Sequence, residues 1–515
     1  MKLPTTLLNR ALKATLLHGY GEFFPLPPEL ELVKRNWADV VVELASIDLD
    51  TYEGYDPIFV FAPKSRVNVR RVGLLHPYDF IFYTALVLAL KSSISKSRLP
   101  EDRVFSYRTE ETSPSELYRN VSHWKQFRAF VERRADQEPN RIVGVTDIAD
   151  FFPRIYHHRL VNALQASSGE KEKSFIRALE KMLSRFSTGT SYGIPIGPPA
   201  SRLLAEAVLI DVDSTLLSFG FDFIRFVDDY IFFTGKVQDA EYCIRVLGET
   251  LFLNHGLTLQ TSKTKISTAS EYVQKHLVIH SDKEKNRRQL LQLIQQDDYE
   301  ITSYDDLDEE NKAAIDAFNL GEMLHEALGE NENVNYREVQ FILGRLSALQ
   351  KPELIPTVLE NLDRLYPVAE SVAAFFTRFA NLPREKCQEI SDAVLAPMFN
   401  QDARPSEYYS IWILSIFQHH ANWAKAADLL KIFRETSTDA VRRFAALALA
   451  NCGTRAQALS VKDYFTSASS LCRTAMLLTT VKLGRDERHY FGRSLRLSDS
   501  LEKLCIKANA RSVRA

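Results

Sequence analysis

The chain has 515 residues, 45% of them apolar and 11% aromatic, and a formal charge of −2. That length supports about two to four domains with ample core, and the near-neutral charge is unusual for a protein that grips long duplex through many Lys and Arg contacts to phosphate. Cys243, Cys387, Cys452, Cys472 and Cys505 show no Cys-x-x-Cys or Cys/His zinc spacing, which excludes a disulfide scaffold and points to reduced, mostly buried thiols.

No secretory signal opens the chain, and no apolar run reaches the roughly 18 residues of a membrane span, so a cytoplasmic location without a membrane partner is expected. Residues 1–60 read as a helical segment. Within it Gly19-Tyr20-Gly21, followed by Pro25, Pro27 and Pro28, reads as flexible and exposed. Between Lys64 and Arg134 there are fourteen basic and seven acidic residues, a balance that suits triphosphates or a single strand. The longest apolar run, Phe80 to Leu90, suits a buried helix.

Arg141 to Asp147 is a short apolar strand ending in an acid, which continues as Ile148-Ala149-Asp150-Phe151-Phe152-Pro153. Pro153 marks a turn before a helical stretch at Ile155 to Leu164; His157 and His158, adjacent on that helix, read as incidental. The Gly/Pro-rich segment Ser191 to Ser201, with Gly193, Pro195, Gly197 and Pro198, lets backbone approach a ligand closely. Ser201 opens a long amphipathic helix. Phe221 to Phe226 and Tyr230 to Phe233 then read as two strands of a hairpin with Asp228 and Asp229 at its tight turn. A double Asp in a turn is common. Its chemistry becomes specific when a third strand-end acid, Asp147, joins it, because grouped anions suit a divalent cation against a triphosphate.

Three segments in this order, Asp-Ile-x-x-Phe-Phe from Asp147, Gly-Ile-Pro-x-Gly-Pro-x-x-Ser from Gly193, and Phe-Val-Asp-Asp from Phe226, resemble motifs A, B and C of reverse transcriptases. Gly256 to Ile266 is similar to motif D, with Lys263 at its lysine. Arg71 to Asp79 resembles the fingers segment whose arginine faces the triphosphate, with Arg70 as a close rival for that role. The resemblance covers roughly residues 60–280. It implies Mg²⁺ (or Mn²⁺) on Asp147, Asp228, Asp229 and the Ile148 backbone, with dNTPs as substrate. Backbone from Ile148 through Ala149 to Phe151 would run beneath the triphosphate, with Gly193, Pro195, Gly197 and Ser201 lining the substrate side. Lys263 would act on the leaving pyrophosphate. Phe152, five residues after Asp147, would exclude a ribose 2′-hydroxyl. Two positions depart from templated enzymes: Phe226 replaces a frequent Tyr, and Ile196 replaces a common Gln, which puts template handling in doubt.

After about residue 281 the pattern changes. A polar stretch at 281–310 reads as a linker, with Gln289 to Gln296 as a possible helix. From residue 311 to 515 apolar residues recur at three and four. Ala440 to Ala450 is similar to the inner helix of a HEAT-type repeat, and Cys472 to Leu478 echoes it about thirty residues on. The expected fold is therefore α+β: reverse-transcriptase fingers and palm at 61–280, an antiparallel sheet with helices, followed by an all-α HEAT-like domain.

That combination resembles the abortive-infection (Abi) polymerases of bacterial anti-phage defence. The resemblance implies untemplated DNA synthesis started on the protein's own hydroxyl, DNA covalently attached to the chain, and a closed homo-oligomer, trimer or hexamer. Tyr20 is the first choice of priming residue, followed by Tyr52 and Tyr55 around Gly54. The alternatives are a templated RNA-directed DNA polymerase of retron or intron type, and a binding protein with an inactive palm.

Overall fold

The computed structural model describes every residue except 110–112, 114–115, 120–122, 278–294, 298–299, 302–308, 310–311, 314–317, 330–333, 380–381, 401–404, 421–422, 424, 498 and 509–515. In chain order the first part comprises α1 (Thr5–His18), α2 (Pro28–Arg35), α3 (Trp37–Ser46), β1 (Ile58–Pro63), β2 (Val69–Leu74), α4 (Pro77–Ser97) and α5 (His123–Gln137). There follow β3 (Ile142–Asp147), α6 (Phe151–Arg154), α7 (His157–Ser167), α8 (Lys173–Phe186), α9 (Ala200–Val208), α10 (Ile210–Ser218), β4 (Phe223–Phe226), β5 (Asp229–Thr234), α11 (Val237–His255) and β6 (Lys265–Thr268).

These elements divide between two compact units, each discontinuous in sequence. The first contains Met1–Gly19, Ala38–Pro57 and Leu75–Glu284; the second contains Tyr20–Trp37, Ile58–Leu74 and Lys285–Ala515.

In the first unit a four-stranded antiparallel sheet has the order β4-β5-β3-β6. Its two faces are covered by different helices. Val143, Ile224, Ile231 and Phe233 pack with Phe127, Val131 and Ala135 of α5. On the other face, a Cβ added at Gly144 would lie 3.0 Å from Ile244 and 3.3 Å from Ala240 of α11. Glycine there lets the helix sit close to the sheet. α4 is buried on every side from Pro77 to Leu88, as its unbroken apolar run leads one to expect, and touches α1, α7, α8 and α9. The helix expected from Ser201 is broken at Leu209 into α9 and α10.

In the second unit β1 and β2 form an antiparallel hairpin, with β1 against helices Glu407–His419 and Asp439–Cys452. Helices Ala369–Thr377, Glu407–His419, Asp439–Cys452, Ser470–Leu478 and Ser500–Lys507 each touch the next. Helices at a spacing of about thirty residues thus stack in a row, the architecture expected of repeats that bury their faces on neighbours. The expected helix at Gln289 to Gln296 lies mostly outside the described residues; Gln295–Asp297 is a short strand. Most of the expected linker at 281–310 also lies outside them.

Candidate active site

The acids are brought together by strand register. β3 ends at Asp147, which pairs directly across from Asp229, the first residue of β5. β4 pairs Phe226 with the same Asp229, which leaves Val227 and Asp228 as a two-residue hairpin loop. Backbone bonds tie the strand ends together: Ile148 N–H donates to the Asp228 carbonyl at 3.2 Å and Gln260 N–H to the Asp147 carbonyl at 2.7 Å. A one-residue slip would turn Asp147 to the opposite face, so whatever fixes the register also sets the site.

Asp147 is 5% exposed. Lys263 pairs with its Oδ2, while its Oδ1 is buried with no hydrogen-bond partner. Burial first, then Asp147 and Asp229, pushes the Asp228 carboxyl up to about 8. Burial and Asp147 push Asp229 up to about 6, against the pull of Lys263. Partial burial lowers the Lys263 ammonium, but Asp147, Asp229 and Asp228 more than offset this and hold it above its ordinary value.

Such a cluster is short of positive charge. An orphaned carboxylate oxygen and two acids whose ionisation is opposed fit a divalent cation, which supplies the missing charge and accepts those oxygens as ligands. Among the described residues no three His, Cys, Asp or Glu side chains converge closely enough to hold an ion alone. The remaining positions would fall to phosphate oxygens and water, as Mg²⁺ commonly requires.

Around the acids the expected substrate residues divide. Phe151 is buried, whereas Phe152 is half-buried and meets it edge-on with ring centroids 5.8 Å apart. The amides of Ile148 and Ala149 are consumed within the protein, by Asp228 O and Thr258 O at 3.2 and 2.8 Å. These bonds fix the backbone that leaves β3 against the Asp228 turn and the segment around Thr258. Asp150, with φ of 46°, turns the chain into α6.

The glycine loop is held against α6 and α7. Gly193, with φ of 91°, donates from N–H to Ile155 O at 2.8 Å, and Ile194 N–H donates to Phe152 O at 3.1 Å. His157 Nε2 donates to Gly193 O at 2.8 Å; burial lowers its proton affinity despite that bond. His157 is thus a positioning residue that sequence reading set aside, since only helix phase separates it from exposed His158. Pro195 is buried, and Gly197 is half-buried with φ of 123°. Ser201 is turned into the core, its Oγ 2.9 Å from the Tyr83 hydroxyl, so it does not line the substrate side as expected.

Tyr20, Arg70 and Arg71 belong to the second unit. Arg71 is exposed with its guanidinium 3.5 Å from the centre of the Phe59 ring; Arg70 lies 5.3 Å over the Phe23 ring and 3.9 Å from Glu22. Tyr20 is only 2% exposed, its ring edge-on to Phe24 at 5.7 Å. Its flanking glycines have φ of 52° and 59° and bend the chain so that the ring points inward. The exposed setting expected of Tyr20 is not observed.

Strand-end carboxylates around a hairpin turn, a glycine loop and a facing lysine define a reverse-transcriptase-type palm. Residues 84–303, under half of the chain, match the family model described as reverse transcriptase (RNA-dependent DNA polymerase), and the region that follows is rich in helices. No curated protein matches the chain. Among solved structures it is similar to telomerase from Candida albicans in complex with a TWJ fragment of telomeric RNA, at 11% identity, TM-score 0.34, covering 82% of this chain and 65% of that one. It is also similar to apo telomerase from Candida tropicalis, at 13% identity, TM-score 0.33, covering 75% and 70%. A C-terminally truncated form of the latter aligns at 11% identity, TM-score 0.30, covering 46% and 55%. The chain thus spans 65% and 55% of the length of the first and the truncated structures.

Proposed function

We propose that the chain is a DNA polymerase that transfers deoxynucleotidyl groups from dNTPs at Asp147, Asp228 and Asp229. The observation that carries this reading is the register: it sets Asp147 against Asp229 beside the Asp228 turn, with one Asp147 oxygen unpartnered. In each step a hydroxyl oxygen bonds to the α-phosphorus, the bond to the β-phosphate oxygen breaks, and pyrophosphate leaves. Divalent ions at these carboxylates would supply activation of the attacking oxygen and neutralise charge on the leaving group. Lys263 stands close enough to Asp147 to present a proton or positive charge to that pyrophosphate. Half-buried Phe152 supports the choice of dNTP over NTP.

The finer reading is untemplated synthesis begun on the chain's own tyrosine, in abortive-infection defence. It is supported by the resemblance in the palm motifs, by Ile196 in place of a polar residue, and by the near-neutral charge. For priming, Tyr52 now takes precedence over Tyr20. Its hydroxyl donates to Asp79 Oδ1 at 2.8 Å, and burial raises Asp79 to about 7. A carboxylate titrating near neutrality is matched to accept a phenolic proton as the tyrosine oxygen attacks.

The test is incubation of purified protein with Mg²⁺ and labelled dNTPs, with and without primer-template, resolved on a denaturing protein gel. Label migrating with the protein without template supports the finer reading. Label only on added primer supports the templated alternative, which the RNA-dependent description of the matching family favours. An absence of label in every lane overturns both and leaves the binding protein with an inactive palm.

A further inference from the structure

The turn that carries Asp228 holds a residue ill-suited to it. Val227 has φ of 57° at the first central position of a two-residue hairpin loop, where positive φ is ordinarily supplied by glycine. A β-branched residue resists that conformation, so surrounding contacts must impose it. They are present on both sides of the residue. Val227 N–H donates to Ser106 Oγ at 3.0 Å, and the Val227 carbonyl accepts from Arg225 Nη1 at 2.8 Å.

Both clamping groups are themselves fixed. Ser106 Oγ donates to Glu206 Oε1 at 2.5 Å. Arg225 holds Asp213 through Nε and Nη2 at 2.9 and 2.6 Å and lies 3.1 Å from Glu206 Oε2. Arg98 donates to Glu206 at 2.6 Å, and Tyr230 to Asp213 at 3.1 Å. The Arg225 backbone exchanges bonds with Arg103 O and Phe105 N–H at 2.8 and 3.0 Å. The two arginines and two acids are almost wholly without solvent contact.

Buried ion pairs are a poor source of stability compared with apolar packing. Here Arg225 and Ser106 bond directly to the strained residue and the other charges fix those two, an arrangement better accounted for by geometry.

We infer that Ser106, Arg225, Asp213 and Glu206 are positioning residues that hold the Val227 peptide in its left-handed conformation and thereby aim the Asp228 carboxylate at the metal site. This inference rests on the proposed polymerase reading. It distinguishes these residues from Asp147, Asp228 and Asp229, which would touch the ions directly.

The test compares Ser106→Ala, Val227→Gly and the double variant in the full chain. Read-outs are Mn²⁺ affinity by electron paramagnetic resonance, kcat and KM for dNTP incorporation, and thermal melting. Losing both Ser106 bonds, the one from Val227 N–H and the one to Glu206, should lower kcat and Mn²⁺ affinity by about tenfold in Ser106→Ala, with KM for dNTP little changed. Adding Val227→Gly should restore much of both, because glycine adopts the turn without the clamp. A folded Ser106→Ala with unchanged kcat and Mn²⁺ affinity would overturn the inference, as would a loss that Val227→Gly does not relieve. Should Ser106→Ala fail to fold, Asp213→Asn carries the same comparison, since it keeps the volume and weakens the hold on Arg225 while leaving an amide oxygen to accept from Tyr230. Asp228→Asn runs in parallel. If it leaves labelling and Mn²⁺ binding intact, the metal-site reading fails; if it abolishes them while Ser106→Ala does not matter, only the positioning role fails.

Discussion

At the residue scale, charge decides what each acid does. Asp228→Asn removes a carboxylate that burial and two neighbouring acids already oppose, so folding should survive while deoxynucleotide incorporation falls by about a thousandfold or more; gel labelling with a melting curve checks both. Asp79 offers a pH test away from the metal site. Its folded value of about 7 lies above the ordinary 3.8, so across about pH 4 to 7 the folded chain retains a proton that the unfolded chain has released. Wild-type stability should therefore fall as pH rises through that window. Asp79→Asn cannot lose that proton and should show a flatter profile, and parallel melting profiles for the two proteins would contradict this. The grouping of the acids and Lys263 was legible in sequence because each stands at a recognisable place in a motif. Ser106, Asp213 and His157 were not, because their partners lie 121, 12 and 36 positions away and no local pattern marks them. Arg225 left one signal, a charge inside the otherwise apolar strand Phe223–Phe226.

At the scale of elements, the strands and the hairpin turn were readable from their apolar and aromatic content, and α4 from its unbroken apolar run. Register was not readable, since several pairings bury the same apolar faces until neighbouring helices select one. Gly144 shows how tightly that selection is made. Gly144→Val would push new methyl groups into Ile244 and Ala240 of α11, and should cost about 1–3 kcal/mol by overpacking. Urea unfolding measures this directly, and an unchanged midpoint would mean that α11 yields. The break between α9 and α10 at Leu209 is likewise absent from the local pattern, which runs on as one amphipathic stripe.

At the scale of the whole molecule, the grouping of segments could not be seen in the order of the chain. Tyr20–Trp37 and Ile58–Leu74 belong with the C-terminal helices, although sequence reading grouped them with the N-terminal segment and the fingers. One buried pair explains part of this. Glu29 accepts from Arg443 Nη1 and Nη2 at 2.7 and 2.8 Å and from Thr474 at 2.6 Å, and all three side chains lie in the second unit. Glu29→Ala would strand the Arg443 charge and should destabilise that unit by about 3–5 kcal/mol. The double replacement Glu29→Leu with Arg443→Met should cost far less. Denaturant unfolding of the two variants compares them, and equal losses would show that the charges were not the cause.

Sequence alone determined the order of the parts: three acids, a glycine loop and a lysine in a palm, followed by stacked helices. Those signals are local, carried by residue type and short spacing. Tertiary structure decided which residues aim the acids, that Tyr20 is buried while Tyr52 meets Asp79, and that two N-terminal segments join the helical unit. Each of these depends on contacts between residues far apart in the chain, where burial and strand register, rather than any neighbouring residue, set the energy.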